Sequence, residues 1–337
     1  MRIAVINVPI ETPWIGENTW ITVPPQNYGG IQWVVAHLID GLLELGHEIF
    51  LLGAPGSHSS HPSLHVVQHG RAGEMREWLE AHEVDIIHDH SNSVVALNEL
   101  SPGRPYLSTH HLTGRPRDPA NAVYLSHAQK RQAEAVEAPV IRIPVNSERF
   151  IFKRVKQGYL LFLGRVSPWK GALEAAAFAH AAETPLVLAG PTWESDYLEQ
   201  IQERFGANTR SVGEVGGKER LELLAGANAV LALSQPVPGP WGDPWSEPGS
   251  TVVSEAAASG TPVISSDNGC LAEITPLVGR VLPWNVIPTR AQAKATLAAL
   301  PSADSLRATA VREWGHVKIG RQYAALYEEV LRGRQWR

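Results

Sequence analysis

Short apolar runs recur along this chain, each followed by a helix-forming or loop-like stretch, and the rhythm is met twice. In the first half "RIAVINV" leads to the apolar-periodic "IQWVVAHLIDGLLELG", closed by Gly46, and then to "EIFLLG". "LHVVQH", "VDIIHDH", "PYLSTHH", "AVYLSH" and "VIRIPV" follow as further strand candidates. Strands that read apolar almost throughout, rather than alternating, suit a parallel sheet covered on both faces. The second half offers the strands "YLLFLGR", "PLVLAG", "TRSVGEV", "NAVLALSQ", "TPVISSD" and "GRVLP". Between them lie the helix formers "GALEAAAFAHAA", "SDYLEQIQERFG", "KERLELLAGA" and "TVVSEAAASG".

Two α/β halves joined through the loop-prone "PVNSERFIFKRVKQG" imply two Rossmann-like, doubly wound domains facing across a cleft. A length of 337 residues agrees, being long for a single core. The boundaries expected are 1–147 and 148–317, with a last helix over about 318–337. In that helix Ile319, Tyr323, Leu326, Tyr327 and Leu331 form an apolar stripe that must pack on something.

With 44% hydrophobic and 19% charged residues the chain reads as globular. A net charge of −5 without Lys/Arg runs argues against a nucleic-acid partner. Cys270 is the single cysteine, so no intrachain disulfide forms and a reducing compartment is expected. The first residues read as a strand rather than a signal peptide, and no apolar stretch reaches the length of a membrane span. A cytoplasmic protein is the expectation.

Ligands of open α/β sheets bind at the carboxyl ends of strands, so the loops there carry the chemistry. In "GRVSPWKG", Arg165 and Lys170 precede a helix N-terminus and would suit a phosphate; two solvated surface cations are the plainer alternative. In "WSEPGSTVVSE", Glu247 and Glu255 bracket a turn that opens a helix near Thr251. The amides of Ser250, Thr251 and Val252 would be unpaired donors there, and two carboxylates suit sugar hydroxyls. An exposed helix glutamate and a dipole-complementing one are the alternative. Gly29 and Gly30 in "YGGIQWVVAHL" permit close backbone approach or mark a plain turn. No G-x-G-x-x-G with its following acid is present, which excludes the usual dehydrogenase pattern. Histidines end two strands, as "HDH" at 88–90 and "HH" at 110–111, without the thiolates or spacing of a structural zinc site.

Together these pieces resemble the family 4 glycosyltransferases, retaining enzymes of the GT-B fold. The motifs that carry the resemblance are "PPQNYGG", "LLELGHEIFLLG", "DIIHDHS", "GRVSPWKG", "LVLAGP", "VGEVGGKERLELLAGANAVLALS", "EPGSTVVSEAAASGTPVISSDNGCLAEI" and "YAALYEEVL". Among its members the chain is most similar to compact enzymes of antibiotic sugar pathways. The resemblance implies that Arg165 and Lys170 neutralise the donor diphosphate, that Glu255 holds the nucleotide ribose and that Glu247 contacts the donor sugar. It places Gly249 and the amides of Ser250, Thr251 and Val252 at the phosphate and sugar, Val215 at the base, and Gly29 and Gly30 near the phosphate. His111 takes the active-site histidine's place, with His110 as the second choice, and the last helix returns to the N-terminal domain.

The family's usual Glu-Pro-Phe-Gly-Leu is Glu247-Pro248-Gly249-Ser250-Thr251 here, which reshapes the sugar pocket. The preceding "PVPGPWGDPW" is distinctive, and Trp241 and Trp245 either stack on a sugar face or close a Pro-rich loop. The expected activity is transfer of a sugar from a nucleotide-diphosphate donor, UDP favoured, to a hydroxyl of a soluble acceptor such as a secondary metabolite or oligosaccharide. Same-face attack with retention is expected, with no metal and no cofactor. Residues 31–46 contain no Lys or Arg, so membrane docking is not expected. The rivals are a sugar-nucleotide 2-epimerase of the same architecture, a non-catalytic nucleotide-sugar-binding protein, and a metal hydrolase built on the histidines.

Overall fold

A computed structural model describes residues 1–7, 20–59, 61–69, 71–92, 103–240 and 242–337. The chain divides into two units, Met1–Asn146 with Trp314–Arg337, and Ser147–Glu313. Unit 1 begins β1 (Arg2–Ile6), α1 (Gly30–Glu44), β2 (Glu48–Gly53), β3 (Leu64–Gln68) and α2 (Ala72–Ala81). It continues through β4 (Ile86–Asp89), β5 (Tyr106–Thr109), β6 (Ala122–Val123) and α3 (His127–Gln132). Unit 2 holds β7 (Leu160–Leu163), α4 (Ala172–Ala181), β8 (Leu186–Ala189), α5 (Ser195–Phe205), β9 (Thr209–Gly213) and α6 (Gly217–Gly226). Then come β10 (Ala229–Ala232), α7 (Thr251–Ala258), β11 (Val263–Ser266), α8 (Leu271–Ile274), β12 (Gly279–Leu282), α9 (Arg290–Ala298) and α10 (Ala303–Trp314). The chain closes with α11 (His316–Leu331).

Each unit has one six-stranded sheet, β3-β2-β1-β4-β5-β6 in the first and β12-β11-β10-β7-β8-β9 in the second. Every ladder within them is parallel, and counted from its own first strand each unit repeats the same order. The apolar runs explain this: β4, β8 and β11 are buried along their whole length, as strands covered on both faces must be. Strand order reverses between β1 and β4 in unit 1, and between β7 and β10 in unit 2, which fixes where a ligand crevice opens.

Helix α1 is apolar on most of its surface because α11 covers the side turned away from the sheet. The two helices cross at glycines. A Cβ on Gly41 would lie 2.2 Å from the carbonyl oxygen of His316, and one on Gly320 3.1 Å from the carbonyl carbon of Gly41. Ile319, Tyr323, Leu326 and Tyr327 are buried in that contact, but Leu331 is 43% exposed and Val330 takes the last place. The 3.6-residue period runs through 319, 323, 326 and 330, so Leu331 falls off the stripe.

One strand expectation is overturned. Residues 140–145, "VIRIPV", make only isolated bridges, Tyr124 with Val140 and Val145 with Gly315. Pro144 lacks the N–H a ladder needs. Among the described residues no helix is long and apolar enough to cross a membrane.

Candidate active site

In unit 2 the loops that leave β7 and β10 emerge from the two strands at the order reversal. The β7 loop carries Arg165 and folds into a 3₁₀ turn, Pro168–Lys170, before α4. Gly171 follows at φ 74°, and a Cβ there would lie 1.8 Å from the carbonyl oxygen of Leu233, at the start of the β10 loop. Only glycine allows the two loops this approach. It brings together residues 77 positions apart: Lys170 Nζ donates to both carboxylate oxygens of Glu247, at 2.9 Å each.

Trp245 completes the cluster. Its Nε1 donates to Glu247 Oε2 at 3.0 Å, and its ring lies 4.4 Å from Lys170 Nζ, within cation–π range. Only 8% of Trp245 is exposed, so its face is not offered for stacking on a sugar. The Pro-rich segment closes on itself through Trp245 N–H to Val237 O, Gly239 N–H to Asp243 O and a bridge between Pro238 and Pro244. Trp241 lies outside the described residues. The Arg165 guanidinium stacks 3.4 Å over the ring centroid of the exposed Trp193 and lies 5.9 Å from that of Trp169.

Helix α7 starts at Thr251, with Ser250 as an N-cap whose side chain makes no capping bond. Ser250 is buried, whereas Gly249, Thr251 and Val252 are partly exposed. One turn in, Glu255 is buried and its Oε2 accepts from Arg220 of α6. Its Oε1 is buried too and has no hydrogen-bond partner among the described residues. Arg220 was not foreseen from the sequence, although a signal existed. It lies four residues before the buried Leu224, so it puts a charge on the inward face of α6. Val215 is buried just ahead of that helix.

Unit 1 places different chemistry at its strand ends. His88 Nδ1 pairs with Tyr327 Oη at 2.7 Å and Nε2 with Thr109 Oγ1 at 2.8 Å, while Thr109 Oγ1 also meets Tyr323 Oη at 2.9 Å. His90 Nδ1 lies 2.9 Å from His111 Nε2, and His110 Nε2 donates to Gly114 O at 3.1 Å. Burial, followed by neighbouring imidazoles, drives His88, His90 and His111 well below the ordinary histidine pKa; burial lowers His110 to about 4. At neutral pH these rings are therefore uncharged, and each short contact has one donor and one acceptor. Among the described residues no three His, Cys, Asp or Glu side chains are grouped to hold a metal ion. A Cβ on Gly30, at the start of α1, would meet nothing within 4 Å among the described residues, whereas one on Gly29 would strike Pro25 and Ile21 at 2.7 and 2.8 Å.

The sequence pattern of the family "Glycosyl transferases group 1" matches residues 146–276, the stretch that holds Arg165, Lys170, Arg220, Glu247 and Glu255. The crystal structure of AviGT4, a glycosyltransferase involved in avilamycin A biosynthesis, superposes with a TM-score of 0.96. It is 52% identical, with 100% of this chain and 99% of that one covered. The chain belongs to the group 1 glycosyltransferases. A glycogen synthase of Mycobacterium tuberculosis is 26% identical, over 74% of this chain and 77% of its own. HepE of Anabaena, solved with UDP and glucose, shares the fold at a TM-score of 0.63 and 16% identity, over 98% of this chain and 100% of its own. Two parallel six-stranded sheets in one order are the GT-B architecture of this glycosyltransferase.

Proposed function

We propose that this glycosyltransferase moves a sugar from a nucleotide-diphosphate donor, UDP-linked in the first instance, to a hydroxyl of a soluble acceptor, with retention of anomeric configuration. Unit 2 binds the donor and unit 1 the acceptor. The observation that carries the reading is the buried, unpartnered Oε1 of Glu255 behind the uncapped start of α7. A buried carboxylate oxygen without a donor is unfavourable by about 1–3 kcal/mol or more, and a ribose hydroxyl supplies that donor. Arg220 secures the other oxygen, so the carboxylate is held ready before the nucleotide arrives.

The free amides of the first turn of α7 and the positive end of its dipole attract the diphosphate. Arg165 and Lys170 leave the neighbouring strand toward the same end of the sheet and stabilise the charge that grows on the leaving phosphate as the glycosidic bond breaks. Stacking on Trp193 holds the Arg165 guanidinium by its flat face, and its N–H donors lie along the edge of that plane. Attack from the face the diphosphate leaves gives retention without a covalent intermediate. In unit 1 His111, neutral and braced by His90, serves the acceptor side. A secondary metabolite is the acceptor class that the similarity to AviGT4 favours.

Incubation with UDP-sugars alone and with an acceptor library tests this. A glycosylated product whose anomeric proton signal keeps the donor configuration supports it. An epimerised donor without acceptor assigns the chain to sugar-nucleotide epimerisation, and tight UDP binding without turnover in any mixture to a binding role.

A further inference from the structure

The Lys170–Glu247 pair sits awkwardly with the roles of its members. If Lys170 holds diphosphate and Glu247 holds sugar, the two side chains that would meet the donor are bonded to each other. The two are not equally fixed. The main chain at Glu247 is tied down by Cys270 N–H, which donates to Glu247 O at 2.8 Å, and by Asn268 Nδ2, which donates to Trp245 O at 3.2 Å. Gly269, at φ 61°, lies so close that a Cβ would be 2.5 Å from Glu247 N. The Trp245 indole N–H then fixes the carboxylate itself. Lys170 is the looser partner, on a flexible stem at the end of a single 3₁₀ turn, with a quarter of its side chain exposed.

We propose that Trp245 is a positioning residue for donor selection: it anchors Glu247 so that Lys170 alone moves, passing from Glu247 to the diphosphate when a sugar nucleotide binds. The inference rests on the donor site proposed above. A nucleoside diphosphate without sugar draws Lys170 away and leaves Glu247 with only the indole N–H. A nucleoside diphosphate bearing its sugar replaces the lost ammonium contacts with sugar hydroxyls. Glu247 therefore opposes the leaving nucleoside diphosphate and tolerates the intact donor. The pair thus favours exchange of product for fresh donor at the end of a turnover.

Calorimetric titration of the full chain tests this, comparing the nucleoside diphosphate chosen from UDP, GDP, ADP and dTDP by thermal shift with its non-reactive phosphonate sugar analogue. Lys170→Ala should weaken the nucleoside diphosphate; if it does not, the donor-site reading itself is wrong. Given that loss, Glu247→Gln should bind the nucleoside diphosphate at least about 10-fold more tightly, about 1.4 kcal/mol, and the sugar analogue no better than the parent. Trp245→Phe keeps a ring beside Lys170 but deletes the indole N–H. It should weaken the sugar analogue several-fold and raise the donor KM, while the carboxylate, no longer anchored, turns toward Lys170 or solvent and leaves nucleoside diphosphate affinity within about twofold. Unchanged or weaker nucleoside diphosphate binding in Glu247→Gln overturns the exchange. Equal weakening of both ligands in Trp245→Phe reduces that residue to a structural one.

Discussion

The two units share one strand order, yet they place opposite kinds of chemistry at the carboxyl ends of their strands. Unit 2 gathers charge and holds it in pairs, Lys170 with Glu247 and Arg220 with Glu255. Unit 1 gathers neutral polar rings, His88, His90, His110 and His111 with Tyr323 and Tyr327. The difference teaches that the fold supplies only the place and leaves the side chains to choose the ligand. Paired charges with a helix N-terminus suit an anionic donor, whereas neutral imidazoles suit the proton of a hydroxyl.

The largest effect is expected at the more deeply buried pair. Arg220→Met keeps volume but strands the Glu255 carboxylate inside the protein, and should destabilise unit 2 by about 3–5 kcal/mol in urea unfolding. Arg220→Met with Glu255→Leu should recover most of that loss, while nucleotide binding stays absent. Because the double variant leaves no unpaired buried charge, loss of nucleotide binding there separates the ligand role from the structural one. If the double variant still bound nucleotide, Glu255 would have no place at the ribose.

Lys170 should behave in the opposite sense, with a large effect on turnover and a small one on stability. Lys170→Ala is expected to lower kcat about 10²–10³-fold, the usual loss when a group preorganised for developing charge is removed. It should destabilise by only about 1–2 kcal/mol, because Glu247 keeps the Trp245 N–H. On the proposed function, in which the cations and helix amides answer the leaving group's charge, activity should survive EDTA. A collapse of turnover in EDTA would refute that assignment.

The comparison also shows how far the sequence could be read. Strand–helix alternation, the start of α7 at Thr251 and the turn before α4 follow from local periodicity and from Gly and Pro punctuation. The partners of the key carboxylates do not. Glu255 meets an arginine 35 positions away and Glu247 a lysine 77 positions away, each brought in by the parallel crossovers rather than by local pattern. The same limit hid the contact of His90 with His111, which meet only because the strands they follow are neighbours. Where a proline-broken run such as 140–145 imitated a strand, composition pointed the wrong way because the missing N–H was outvoted by apolar residues.

Acid should separate the units next. Histidines held below their unfolded pKa stabilise the fold fully above about 6.5, and that stability is lost as pH falls toward the folded value. For His110 the window runs from 6.5 down to about 4, and His88, His90 and His111 act in the same direction. Each contributes up to about 1.4 kcal/mol per pH unit inside its window. Unfolding of the full chain in urea should therefore show the unit 1 transition falling steeply between pH 6.5 and 5. The histidines with lowered pKa all lie in unit 1, so unit 2 should move less. A flat profile over that range would mean that the rings carry charge in the folded protein.

The smallest effects belong to the tyrosines, and they test whether the neutral network acts as one unit. Tyr327→Phe removes the partner that His88 Nδ1 has among the described residues and should destabilise unit 1 by about 1–3 kcal/mol. Tyr323→Phe removes a contact from Thr109 Oγ1, which keeps His88 Nε2, so about 1 kcal/mol or less is expected. In the double variant the losses should not add, because both hydroxyls feed the same imidazole through one chain of contacts. Neither substitution should change nucleoside diphosphate affinity, which the proposed function assigns to the paired charges of unit 2. Simple additivity would mean that the rings are independent packing residues, and a change in nucleotide affinity would mean that the neutral and the charged ends do not act separately.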